Sequence, residues 1–143
     1  MTKTAAVPLY KGAQAEYVPA TYQGRNTSGL KPYGKNVLVR VDECATATTG
    51  GVKLLDEYVE RMTANATSGC IYYLAPEAFR LFDDGTPWIG EAPKVGDRIC
   101  FEKYAGQIQT GVDGHPYRIM DYRNIACSLD YDYLEEIGVE AAA

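Results

Sequence analysis

The residues best suited to chemistry in this chain do not form a recognisable metal or redox motif. The four cysteines stand far apart in the sequence, at Cys44, Cys70, Cys100 and Cys127. Structural zinc sites and redox motifs usually place cysteines in C-x-x-C pairs, and this chain has none. Because free cysteine is among the most buried residue types, we expect four reduced, buried thiols. Such thiols are typical of the reducing cytoplasm.

The histidine and the adjacent acids also lack a catalytic context. His115 is the only histidine and lies on a predicted hairpin turn, where a surface position is expected. Asp83 and Asp84 precede Gly85 on another turn, and burial does not separate the pKa values of adjacent carboxylates there. The complete phosphate-binding sequence G-x-x-x-x-G-K-[ST] is absent, because the partial match at 29–35 is followed by Asn36. The sequence therefore predicts no catalytic residue, no bound metal and no cofactor, in a protein that is not an enzyme.

One segment has the composition of a docking loop. In the first part of the segment 42–69, alanines and threonines at 45–49 offer little apolar area, and Gly50 and Gly51 increase backbone freedom. The glycines are followed directly by Val52, Lys53, Leu54 and Leu55. Long loops within a domain are uncommon and usually functional or disordered. Aliphatic side chains at a flexible tip indicate a segment that binds another protein.

The composition favours a single folded domain and disfavours several partners. The chain has 143 residues, 46% hydrophobic and 23% charged, with a formal net charge of −5. Nucleic acid requires a concentrated positive patch, and no cluster of lysines and arginines is present. No segment reaches the roughly 18 apolar residues that a membrane span needs. We therefore expect neither nucleic acid nor a membrane as a partner.

The pattern of apolar residues predicts strands. Val37, Val39 and Val41 alternate with Leu38 and polar residues over 35–41, as in a half-buried strand. The other predicted strands are 70–74, one following the turn at 96–97, the hairpin arms 107–112 and 115–120, and 125–129. Residues 55–62 have one apolar helical face, which predicts a short amphipathic turn. Short strands without a long helix predict an all-β fold, a small irregular β-barrel with a long mobile loop.

The chain divides into three predicted regions. Residues 1–29 form an N-terminal arm rich in glycine and proline, and 30–130 form the barrel. The barrel carries the loop 42–69 and a hairpin at 77–93, and 131–143 form an acidic tail. The arm has more tyrosine and valine than a plain linker. Two interpretations of the arm remain open: that it covers another surface, such as a neighbouring subunit, or that it is a disordered terminus.

Several motifs in the same order resemble the small co-chaperonin family, the GroES-like subunits that cap a chaperonin ring. The resemblance covers about 30–130 and rests on sequences that match the family's opening strand, its mobile loop and its most diagnostic block. These are Lys31-Pro32-Tyr33-Gly34, Val37-Leu38-Val39-Arg40, Gly50-Gly51-Val52-Lys53-Leu54, Lys94-Val95-Gly96-Asp97-Arg98, Lys103-Tyr104-Ala105-Gly106, Asp113-Gly114, Tyr117-Arg118-Ile119-Met120 and Asn124-Ile125-Ala126.

The resemblance implies a ring, the homoheptamer of the family, that closes the folding chamber of a GroEL-like chaperonin while that partner hydrolyses ATP. The loop residues 50–55 would bind the chaperonin. Strands near both ends of the domain would join neighbouring subunits, through Val37, Val39, Ile125 and Cys127. A roof hairpin at Asp83, Asp84 and Gly85 would close the dome, and Tyr104 would face the chamber.

The departures from the family pattern indicate a divergent member, such as one encoded by a phage or virus. Lys35-Asn36 replace the usual Asp-Arg pair, Lys53 interrupts the apolar tripeptide, and Ala75-Pro76-Glu77 replace a glycine-rich turn. The alternative function is a structural one, in which the same barrel decorates or cements a viral shell, because a fold does not dictate its function. The helical segment 55–62 is the part that the family pattern leaves unexplained.

Overall fold

The structure, a computed structural model, describes residues 10–11, 16–47, 51, 53–82 and 84–129. Its regular elements are short strands and one short helix, which confirms the predicted all-β class. The strands are β1 (Tyr10–Lys11), β2 (Glu16–Val18), β3 (Asn36–Val41), β4 (Glu43–Cys44), β5 (Ser68–Leu74), β6 (Arg98–Phe101), β7 (Gln107–Thr110), β8 (Pro116–Asp121) and β9 (Ile125–Ser128). The helix α1 is Asp56–Ala64, and a 3-10 turn at Tyr122–Asn124 leads into β9.

Two antiparallel sheets organise the described residues. The larger has the order β7-β8-β3-β5-β6-β9, and the smaller has the order β1-β2-β4. Strand β3 is central and pairs with β5 on one side and β8 on the other. Among the described residues, β7 and β9 are therefore the edge strands of the larger sheet.

Strand β3 is buried on both faces. Val37 and Val39 are 0% exposed within one apolar cluster, and Leu38, also 0% exposed, lies in a second cluster on the opposite face. The prediction of a half-buried strand is therefore wrong. The predicted subunit contact through Val37 and Val39 is wrong for the same reason, since a side chain with no exposed surface cannot supply contact area to a second chain.

The arm supplies the cover for the second face. Ala20 is buried in the second cluster, and Tyr22 and Leu30 pack against that cluster. The hydroxyl of Tyr72 donates a hydrogen bond of 2.7 Å to the carbonyl of Thr21. Residues 16–30 thus pack on the barrel of their own chain. This arrangement is a third possibility, beyond the neighbouring subunit and the disordered terminus that the sequence left open.

A buried ion pair holds the arm against the sheet. Asp42 is 0% exposed, and its two carboxylate oxygens accept hydrogen bonds from Arg98 at 2.7 and 2.8 Å. The same carboxylate accepts the backbone N–H of Ala20 at 2.7 Å, and Arg98 donates to the carbonyl of Ala20 at 3.2 Å. The arm, β6 and the end of β3 therefore meet at one charge pair.

Helix α1 follows the predicted amphipathic segment closely. Asp56 and Glu57 occupy its first turn, where negative charge is favourable against the helix dipole. Met62 is buried, and its carbonyl accepts the hydroxyl of Tyr17 at 3.2 Å. At the helix end, Arg118 donates to the carbonyl of Ala64 at 2.5 Å. A short helix is marginal in water, so these contacts with the sheet stabilise α1.

The approach of Gly106 to β8 gives a stability prediction. Gly106 has φ of +69°, and a Cβ there would overlap the carbonyl oxygen of Ile119 and lie 2.8 Å from Cβ of Met120. Gly106→Ala is expected to lower the free energy of unfolding by about 1 to 3 kcal/mol more than Gly114→Ala, because of overpacking. Gly114 is the matched control, since its φ is +84° and no atom lies within 4 Å of the added Cβ. Chemical denaturation measures the difference, and equal losses would contradict the close approach.

The stability of the protein at low pH is expected to depend on the carboxylate of Asp113. Burial by itself would raise the pKa of Asp113, but hydrogen bonds from Thr27, Tyr117 and the backbone of His115 outweigh it and hold the pKa below its ordinary value of 3.8. A depressed pKa gives stability that is present above pH 3.8 and lost as the pH falls through the lower folded value. Asp113→Asn is expected to lower stability at pH 7 and to flatten the loss below pH 3.8. Parallel pH profiles from urea denaturation would contradict this role.

Candidate functional site

The predicted docking loop is closed at its base by backbone pairing. Ala47 and Lys53 form an isolated antiparallel bridge, and the N–H of Leu54 donates to the carbonyl of Thr46 at 2.8 Å. Gly51 has φ of +90°, a conformation that favours glycine. Gly50 and Val52 lie outside the described residues. The base of the loop is therefore a narrow neck fixed at both sides.

The flanks of the loop are structured, so the predicted span of 42–69 is too long. Before the neck, Cys44 and Ala45 are buried, and the N–H of Cys44 donates to the hydroxyl of Thr63 at 2.8 Å. After the neck, α1 packs on the sheet through Met62. The segment that remains for docking is about 46–55. The sequence missed these flanks because their contacts join residues far apart in the chain.

The aliphatic residues after the neck have different environments. Leu55 is 79% exposed and Lys53 is exposed, whereas Leu54 is half-buried against the larger core cluster. Leu55 therefore offers free apolar surface, and Leu54 anchors the chain that carries it. The structure places Lys53, Leu54 and Leu55 in one continuous strip between the neck and α1.

The chain also turns sharply at the predicted roof. The N–H of Phe82 donates to the carbonyl of Thr86 at 2.7 Å, and Leu81 and Pro87 form an antiparallel bridge. Asp84 is exposed and Gly85 has φ of +88°, while Asp83 lies outside the described residues. Hydrogen bonds from Thr86 lower the pKa of Asp84, so this carboxyl stays ionised and does not act as an acid at neutral pH.

Aromatic rings support the base of this hairpin. Trp88 lies with its ring centroid 5.3 Å from Phe79, 5.0 Å from Phe82 and 5.7 Å from Tyr122. Ile89, beyond the cluster, is 82% exposed. Tyr104, on the turn between β6 and β7, is 84% exposed, and Nζ of Lys103 lies 5.5 Å from its ring centroid.

The predicted interface residues on β9 lie at a sheet edge. Ile125 is half-buried against the larger core cluster, and Cys127 is exposed. The prediction of four buried thiols is wrong here. Cys44 and Cys70 are buried, but Cys100 is only partly buried, and its Sγ lies 2.7 Å from Sγ of Cys127. The two cysteines are distant in sequence, and only the pairing of β6 with β9 brings them together.

His115 has a structural role that its position on a turn did not reveal. Its Nδ1 lies 2.8 Å from a carboxylate oxygen of Glu43, and a terminal nitrogen of Arg40 lies 3.1 Å from the same ring nitrogen. These contacts link β4 and the β7–β8 hairpin. Arg40 and His115 were not predicted to meet, because their contact depends on the pairing of β3 with β8.

The part of the chain that the structure describes contains neither a metal-binding cluster nor a membrane-spanning helix. Within it, no group of three or more histidine, cysteine, aspartate or glutamate side chains could hold a metal ion. Within the same residues, no helix is long and apolar enough to cross a membrane.

Comparison with known proteins shows that the predicted docking loop, the hairpin at 81–87 and β9 all lie within one family region. The family described as "Chaperonin 10 Kd subunit" matches residues 29–129. The co-chaperonin GroES of Bacillus sp. (strain PS3) is 35% identical over 91 residues, covering 64% of this chain and 88% of that protein. GroES of Tetragenococcus halophilus is 31% identical over 102 residues, covering 71% of this chain and 99% of the relative. GroES of Staphylococcus aureus (strain JH9) is 31% identical over 101 residues, with the same two coverages.

Proposed function

The chain belongs to the chaperonin 10 family and is a co-chaperonin, and we propose that it docks on a GroEL-like chaperonin ring through residues 50–55. The observation that carries the proposal is the strip formed by Lys53, Leu54 and Leu55 beside the narrow neck of the loop, in which the side chains of Lys53 and Leu55 are exposed. Gly50, Gly51 and Val52 complete the segment by sequence.

The apolar side chains supply the binding energy. Burying a side chain of the size of Leu55 stabilises a complex by about 1.5 to 3 kcal/mol. Ordering flexible backbone opposes this by roughly 1 to 2 kcal/mol per residue. The bridge between Ala47 and Lys53 fixes the neck before binding, so these two residues add no further ordering cost. Lys53 can lie along the apolar surface through its methylene groups while its ammonium stays in water.

Several subunits acting together would strengthen this contact. A single short loop binds weakly, whereas loops tethered in one ring bind with avidity that exceeds the affinity of each. We assign the subunit contact to the backbone of the edge strand β9 at Ile125 and Cys127, because edge strands present backbone groups that can pair with another chain. The expected assembly is a homoheptamer, acting in the cytoplasm beside its chaperonin.

The hairpin and the turn after β6 complete the proposed cap. Asp83, Asp84 and Gly85 would form the roof, where the exposed, ionised carboxylate of Asp84 is well solvated. Tyr104, whose ring is largely exposed, would face the enclosed chamber. The cap itself needs no cofactor, since ATP is bound and hydrolysed by the chaperonin. The alternative of a shell protein that reuses this fold has no support in the family match or in the relatives described above.

Nucleotide-dependent capture tests the proposal. The purified protein is mixed with GroEL-like rings from several bacteria, with and without ATP, and the complexes are separated by size. We expect co-elution with at least one ring in the presence of ATP and little without it. Failure to co-elute with any ring, by a protein that is folded by circular dichroism, would contradict the docking proposal.

A further inference from the structure

Strands β6 and β9 place two thiols directly opposite each other. Cys100 pairs with Cys127 in the antiparallel register, and their Sγ atoms lie 2.7 Å apart. Opposed residues in antiparallel strands have Cα atoms about 4.5 to 5.5 Å apart, within the roughly 4.4 to 6.8 Å range of disulfides. A closing movement of about 0.7 Å between the sulfurs would bring them to bonding distance. The register of β6 and β9 is therefore compatible with the Cα separation of a disulfide.

The two thiols differ in their access to solvent. Cys127 is exposed, so a reagent from solution meets it first, whereas Cys100 is partly buried. Burial, followed by the hydrogen bond with Cys127, raises the pKa of Cys100 to about 11. Cys44 and Cys70 are buried elsewhere, and burial raises the pKa of Cys70 to about 11. Oxidation by a small reagent should therefore be selective for the β6–β9 pair.

We propose that Cys100 and Cys127 form a reversible redox pair that is oxidised by low-molecular-weight disulfides and reduced by low-molecular-weight thiols. The thiolate of Cys127 attacks one sulfur of the small disulfide, and the other half leaves as a thiolate that takes up a proton. Cys100 then loses its proton, attacks Sγ of Cys127 and expels the second half as a thiol. In total, two protein thiols and one small disulfide become one protein disulfide and two small thiols.

The pair lies where it could affect assembly, a consequence that rests on the proposed function. A disulfide would join the edge strand β9 covalently to β6 and limit fraying of the edge that we assign to the subunit contact. Pairing of a sheet edge with another chain uses backbone groups and leaves side chains on the sheet faces. Ring formation through the edge of β9 would therefore leave the side chains of Cys100 and Cys127 on a face of the sheet, outside the backbone contact. Disulfides of cytosolic proteins are commonly transient and regulatory, as this pair with its exposed member Cys127 would be.

Thiol counting after treatment with oxidised glutathione tests the chemistry without any chaperonin. The reduced protein has four cysteines, and we expect the number of free thiols in the oxidised protein to fall by half. Mass spectrometry should show the loss of two hydrogens and a linked pair of peptides that contain Cys100 and Cys127. Dithiothreitol should restore all four thiols.

Two variants separate this pair from other reactions. Cys100→Ser should stop at a mixed disulfide between Cys127 and glutathione, whereas Cys44→Ala should still form the internal disulfide. An unchanged thiol count in the wild type, a mixed disulfide that never resolves, or a covalent dimer through Cys127 would each overturn the proposal. A comparison of the oligomer size of the oxidised and the reduced protein tests the effect on assembly separately. An unchanged size would overturn only that effect.

Discussion

Leu55→Ser is expected to abolish ATP-dependent capture by the chaperonin ring without unfolding the protein. Leu55 is 79% exposed, so its replacement removes little packing within the chain. Loss of about 1.5 to 3 kcal/mol of apolar burial weakens each loop by about tenfold to over a hundredfold. Because several loops of a ring bind together, these losses compound and the avidity is lost. Co-elution with the chaperonin measures the effect, and thermal unfolding checks the fold.

Ile89→Ser is the matched control for this variant. Ile89 is 82% exposed and lies in the loop that follows the roof hairpin, outside the proposed docking segment. The Ile89→Ser protein should be captured by the chaperonin to the same extent as the wild type. Val52→Ser should act in the same direction as Leu55→Ser, whereas Leu54→Ser should also lower stability, because Leu54 packs against the core. Equal capture of Leu55→Ser and the wild type would exclude this strip as the binding surface.

Arg98→Met is expected to cause the largest loss of stability. It would leave the carboxylate of Asp42, which is 0% exposed, without its charged partner. Breaking a buried ion pair by removing one member costs about 3 to 5 kcal/mol, a large part of the total stability of a small domain. The variant should also loosen the arm, since Asp42 and Arg98 both bond to Ala20. Chemical denaturation measures the first effect, and proteolysis near residue 20 measures the second.

Arg123→Met makes the same substitution in an exposed pair. Nε of Arg123 lies 3.0 Å from Oδ1 of Asp121, but the side chain of Arg123 is 60% exposed. Exposed ion pairs contribute about 0 to 1 kcal/mol, so this variant should remain near the wild type. A loss for Arg98→Met no larger than that for Arg123→Met would show that the buried pair does not hold the arm.

The sequence predicted most strands of the larger sheet because their patterns are local. Alternating valines marked β3, and Asp113-Gly114 marked the turn between β7 and β8. The contacts that cover β3, by contrast, come from residues distant in the sequence. Its second face is covered by Ala20, Tyr22 and Leu30, whose segment has glycine and proline and no strand periodicity. An alternating strand was therefore interpreted as half-buried, and two of its valines were assigned wrongly to a subunit contact.

The candidate site, like the sheet, could be predicted from the sequence only where its signals are local. Two glycines followed by aliphatic residues indicated a docking loop from composition alone. The extent of that loop depended on contacts between distant segments, such as Cys44 with Thr63. The approach of Cys100 to Cys127 depended on a strand register with an irregularity beside it, which no local pattern encodes.

A protein that caps a chaperonin ring adds visible density to the end of that ring. Electron micrographs of the purified protein with a chaperonin that captures it, recorded with and without ATP, therefore test whether this protein is such a cap. We predict dome-shaped density at the end of the chaperonin only when ATP and this protein are both present. Chaperonin particles with bare ends under these conditions, alongside free protein that remains folded, would contradict the claim.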